Sequence, residues 1–143
     1  MREVLDKLEK IDDRLNIIEK SSKKRGLSFE ASIPPRSLCK DIVHANGVGN
    51  WENHMQILSD YYGVALMENY HNPAKVPKDS IACYHRYERS AYYKKATAML
   101  ETVLHEFFHH LHAEGVISIT RGQSEEKLAD KYAKIIIERG NSP

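Results

Sequence analysis

The sequence predicts an α+β domain: a small antiparallel or mixed sheet of three to four strands packed on two helices, with a helical N-terminal segment. Three patterns predict it. Apolar residues recur at helical spacing over residues 97–112 and again over 124–139. Between residues 64 and 95 the period falls towards two, the spacing of strands whose side chains alternate between faces. Near the N-terminus the apolar spacing is that of a heptad repeat. With 143 residues, the chain divides into an amphipathic helix over 1–24 and a domain over 25–143, whose core spans about 63–139.

In residues 2–22, Val4, Leu8, Ile11, Leu15 and Ile18 alternate spacings of four and three, and Leu5 and Ile17 widen the stripe. The pattern is too short for an independent coiled coil, so this helix packs on its own domain or pairs with a second copy as a homodimer. Lys20-Ser21-Ser22-Lys23-Lys24-Arg25-Gly26 follows as a basic linker. Without interleaved aromatics it reads as a solvated helix end rather than a nucleic-acid patch. Residues 27–33 read as a short strand, which Pro34-Pro35 breaks. Ser37 is the expected N-cap of a helix through Ala45. Residues 46–49 are a loop, and Asn50 caps a helix over 51–62 that Gly63 stops. Strands are expected at 64–70 and 80–87, around a Pro-containing loop, and at 91–95, where the chain passes into the long helix near Lys95. Gly115 ends that helix, and residues 124–139 form the last one.

The long helix carries His105-Glu106-Phe107-Phe108-His109, an H-E-x-x-H set. Residues four apart on a helix lie one turn above each other, so His105 and His109 can hold one metal ion. Glu106, beside them, can reach a metal-bound water. Leu100, Val103, Leu104, Phe107 and Leu111 give the same helix an apolar back. The chemistry this set supports is activation of water by Zn²⁺, with Glu106 moving the proton.

A catalytic zinc takes three protein ligands and keeps one position for water. An extended pattern with a third His six residues on fails, because Gly115 stands there and His112 occupies the place of the required Gly. The following helix offers Glu126, with Asp130 four residues further on the same face. Glu126 is the expected third ligand, and Asp130 the acceptor for the free ring N–H of a metal-binding His. Glu125 points about a quarter turn away and has no such partner. His112 can approach the metal only if its helix frays, and reads as a solvated His near a helix C-terminus. His110 reads as surface.

His105-Glu106-x-x-His109 followed by Glu126-x-x-x-Asp130 resembles the gluzincin arrangement of zinc metallopeptidases. The run Ala129-Asp130-Lys131-Tyr132-Ala133 is similar to the second-helix motif of ImmA/IrrE-like peptidases, and the chain's shortness resembles the minimal microbial gluzincins, or minigluzincins. The resemblance covers about residues 63–139. It implies a small sheet with an antiparallel edge, an active-site helix, a Glu-bearing helix, and peptide-bond hydrolysis with Zn²⁺ as cofactor and a peptide or protein as substrate. It also implies that some members are held inactive by their own N-terminal segments; here residues 27–39 either lie in or beside the groove or, with the rest of the N-terminal half, serve as scaffold.

Other classes receive less support. Formal charge is +1, from 21 basic and 20 acidic residues, so no strong field draws the chain to nucleic acid or membrane. No apolar run approaches the length of a membrane span. The N-terminus does not read as a signal peptide, and two cysteines, Cys39 and Cys83, make no disulfide framework, so a cytoplasmic setting is expected. Cys39 reads as a small apolar residue rather than a thiolate ligand. For oxyanion stabilisation Tyr84, His85, Tyr87, Tyr92, Tyr132 and His112 are all candidates. The alternative function is a catalytically silent or regulatory metal-binding or interaction domain of the same fold; a third is a metal-free helical interaction protein.

Overall fold

A computed structural model describes residues 23–47, 51–70, 72–94 and 100–142. The heptad helix of residues 2–22, and with it the homodimer it would form, lies outside the described residues, as do the Asn50 cap and the junction at Lys95. The described elements are α1 (Phe29–Ser32), α2 (Arg36–Gly47), α3 (Trp51–Tyr62), β1 (Glu68–Tyr70), a 3-10 turn (Pro73–Lys75), β2 (Ala82–His85), β3 (Ser90–Tyr93), α4 (Leu100–Ala113) and α5 (Glu125–Asn141). The class is α+β.

The strand expected at 27–33 is instead the helical turn α1. Ser28 caps it by accepting the Ala31 N–H at 3.2 Å, a local bond that competes with strand pairing. Only Leu27 keeps β character, in a single parallel bridge to Ile117. Its N–H donates to the Val116 carbonyl at 2.8 Å, and its carbonyl accepts from the Ser118 N–H at 2.8 Å. These bonds dock the segment on the connector between α4 and α5. Helix α2 begins at Arg36, two residues earlier than the Ser37 cap implies, because the Pro35 carbonyl accepts from the Leu38 and Cys39 N–H groups. Of the basic linker, Lys23 and Lys24 are docked rather than solvated: Lys23 pairs with Glu114 at 3.3 Å and Lys24 lies over the Tyr61 ring at 4.6 Å.

The sheet has the order β1-β3-β2. Central β3 runs parallel to β1, with Asn69 opposite Ala91, and antiparallel to β2, with Tyr84 opposite Ala91. All of β3 is buried, as a central strand must be, whereas β2 is half-buried and lies at an edge. Lys94 donates to the Ile81 carbonyl at 2.9 Å. Because antiparallel ladders alternate, Cys83 and His85 also turn their backbone groups to β3, and Ala82 and Tyr84 turn theirs outward.

Helix α4 packs on β2 on one side and on α5 on another, with α2 against α5 and α3 against α2. That position explains its wide apolar surface: Leu104, Phe107, Phe108 and Leu111 are fully buried. Phe108 meets Phe29 at 6.1 Å and Tyr132 at 5.2 Å between ring centroids. One polar chain crosses this core. The Tyr62 hydroxyl donates to the Ser32 carbonyl at 2.5 Å and accepts from the Tyr132 hydroxyl at 2.6 Å, so neither buried oxygen is left unpaired. Gly115, at φ 79°, turns the chain out of α4. Among the described residues no helix is long and apolar enough to cross a membrane.

Residues 27–39 lie behind this core and not beside the groove. Phe29 and Cys39 are buried, Ser32 is bonded to Tyr62, and none of them lines the clefts described below. The expectation that this stretch restricts access is corrected: its apolar residues are needed to cover α4 and α5.

Candidate metal centre

Helix α4 presents His105 and His109 one turn apart, and the first turn of α5 brings Glu126 across from them. One ligand atom from each lies within 4.8 Å of the others. The two Nε2 atoms are 3.2 Å apart. Glu126 Oε2 is 3.1 Å from His105 Nε2, and Oε1 is 2.8 Å from His109 Nε2. Zn–N and Zn–O bonds near 2.0–2.1 Å at tetrahedral angles separate the donors by roughly 3.3 Å. The set is therefore the right size for one ion.

The far side of each ring agrees. His105 Nδ1 lies 2.7 Å from Asp130 Oδ1, and His109 Nδ1 makes a short bond to Glu125 Oε2. Ionised carboxylates only accept, so each Nδ1–H donates to its own carboxylate, and with a metal between them the two Nε2 lone pairs would face the shared centre. A pair of chance surface histidines would not need two carboxylates so arranged.

Glu125 thus does have a partner, against expectation. It is the first residue of α5, and helical side chains lean towards the N-terminus. That lean carries it to the end of α4, where its Oε1 also stands 2.6 Å from His112 Nδ1. The His112 ring is not aimed along that line, so the contact is an ion-pair distance rather than a hydrogen bond. His112 therefore sits beside Glu125 rather than in solvent, and is not among the converging ligands.

Glu106 is 3% exposed. Burial pushes its carboxyl up to about 7; the neighbouring His105 pulls it down, while Glu126 and Asp130 push it further up. The Tyr84 backbone N–H, turned outward from β2, faces it and pulls the carboxyl slightly down. Glu106 therefore lies between the His105 and His109 rings and the outer edge of β2.

Two clefts meet at this point. One, of about 320 Å³, is walled by Cys83, Tyr84, Arg86 and Glu125. The other, of about 480 Å³, is walled by Asp79, Ile81, Glu101 and Thr102. His105, Glu106 and Glu126 line both. The Cys83 thiol is held up by burial and by Glu106 and Glu126, so it stays protonated. Cys39 is wholly buried away from the centre, an apolar core residue.

His110 is a second correction. It is completely buried, with Nδ1 at 2.5 Å from the Tyr84 hydroxyl and Nε2 at 2.9 Å from the Ala65 carbonyl. The face of α4 it occupies is covered by β2, which the helix sequence alone does not reveal. Most oxyanion candidates are likewise engaged elsewhere. Tyr132 bonds Tyr62, Tyr92 bonds Glu88, His85 meets the Lys75 carbonyl, and Tyr87 is fully exposed. Arg86, overlooked in the sequence, stands on the cleft wall with Tyr84. Compared with protein families, curated proteins and solved structures, the chain matches none.

Proposed function

We propose that the chain is a zinc-dependent metalloendopeptidase of the gluzincin type. The observation that carries the reading is the convergence of His105, His109 and Glu126 beside a buried Glu106, under the outer edge of β2. When bound there, Zn²⁺ supplies a Lewis acid and a water of lowered pKa. His105, His109 and Glu126 are its ligands. Asp130 and Glu125 hold the two imidazoles in one tautomer and orientation.

Glu106 is the general base. It takes a proton from the attacking water and returns it to the departing amine, work suited to a carboxyl whose affinity for protons is raised by burial. The substrate is an extended segment of peptide or protein. The outward backbone groups of Ala82 and Tyr84 receive it as an added antiparallel strand, with the mixed sheet acting as a rail across the active-site helix. A cytoplasmic setting belongs to the same proposal. A silent metal-binding domain is the competing reading, but it has no use for a buried carboxylate between the ligands and an open strand edge.

The test is hydrolysis of an unfolded protein by zinc-loaded enzyme, with and without chelator. Glu106→Gln should retain zinc and lose roughly a hundred- to ten-thousand-fold in rate. Hydrolysis that survives either the chelator or that substitution rejects the proposal.

A further inference from the structure

We propose that His110 and Tyr84 form a clamp that sets the position of the β2 edge over the metal centre, making His110 a positioning residue for substrate presented on that edge. Its consequence for activity rests on the peptidase reading; the clamp itself rests on geometry.

His110 follows Glu106 by four residues, so the two share a face of α4. A wholly buried imidazole is costly unless both nitrogens are bonded, and here both are. The Ala65 carbonyl can only accept, so Nε2 carries the proton. Nδ1 is then an acceptor and receives the Tyr84 O–H at 2.5 Å. The rings meet edge-on, at 5.5 Å between centroids and 65° between planes. Burial also lowers the His110 pKa, which favours the neutral ring that this arrangement requires.

Tyr84 is therefore fixed to α4 by its hydroxyl on His110, one helical turn from Glu106, which its backbone N–H faces. A Phe–Leu pair would fill the same space without setting a distance or direction. The polar pair sets both, in the strand residue whose backbone faces the centre. If the hydroxyl bond is lost, β2 keeps its ladder to β3 but loses this hydrogen bond to α4, and the strand edge loses its registration over the base.

The test uses full-length, zinc-loaded protein. Tyr84→Phe removes one hydroxyl. His110→Gln keeps a donor towards Ala65 but loses the acceptor facing Tyr84, whereas His110→Asn keeps that acceptor. Amide exchange at Tyr84 is measured with kcat, KM and zinc content. Tyr84→Phe and His110→Gln should each speed exchange of the Tyr84 amide and lower kcat/KM about tenfold, as expected for one lost buried hydrogen bond. Zinc content should not change, the double variant should be no worse than either single one, and His110→Asn should recover part of the loss. Wild-type exchange at Tyr84 in the Tyr84→Phe variant overturns the clamp. So does faster exchange with unchanged kinetics per folded molecule. If the wild type hydrolyses nothing, the peptidase reading fails separately, and the exchange measurement decides the clamp by itself.

Discussion

Glu106 makes a prediction that does not depend on any substrate. Its folded-state pKa is raised from the ordinary 4.5 to about 7, chiefly by burial. A carboxyl raised in this way favours the folded state while it is protonated. The contribution is complete below pH 4.5 and disappears as pH rises through 7. At about 1.36 kcal/mol per pKa unit, the loss amounts to roughly 3 kcal/mol for the metal-free chain. Glu106→Gln has nearly the same shape and cannot ionise. In chelator, the variant's stability relative to wild type should therefore climb by about that amount between pH 4.5 and 8. Urea unfolding of both proteins across this range measures the difference, and titrations common to both cancel. A difference that stays flat with pH would refute the argument that burial governs Glu106. Saturating zinc should shrink the effect, because a cation beside the carboxylate offsets the burial cost.

Zinc binding should fall in two grades. His105→Ala, His109→Ala and Glu126→Ala should each abolish stoichiometric zinc, while Asp130→Asn and Glu125→Gln should weaken it about ten- to a hundredfold, by calorimetry; a larger loss from Glu125 than from Glu126 would reverse the ligand assignment. Gly140→Ala should lower Tm, since a Cβ there would stand 2.3 Å from Val43 Cγ2 and 2.5 Å from the Cys39 carbonyl. The α2–α5 crossing must then open at a cost of about 1–3 kcal/mol, and an unchanged Tm would show that the helices separate freely. Removing residues 1–39 should leave the rest unfolded by circular dichroism, because Phe29 and Cys39 are core residues. A folded, more active product would restore the idea that this stretch blocks the groove.

The sequence by itself determined the elements whose signal is local. The His105, Glu106 and His109 spacing, the Glu126 and Asp130 spacing and the Gly115 stop all follow from local helix geometry. The α+β class was legible for the same reason, since periods of 3.6 and two are properties of each segment alone. Local signals also misled: residues 27–33 alternate like a strand, but the Ser28 cap turns 29–32 into α1, and Ser37 looks like a cap although α2 already begins at Arg36.

Only the tertiary structure decided which neighbours those residues meet. His110 looks like a surface residue until β2 covers it, and Tyr84 looks like a free donor until its O–H is bonded to His110. Glu125 was dismissed on helical angle, yet its place at the very start of α5 lets it reach two histidines of α4. Tyr132 could not be separated from the oxyanion donors until packing buried it. Burial, pairing and pKa are set by what lies across a contact. They depend on residues far away in the chain, and no periodicity within one segment carries that information.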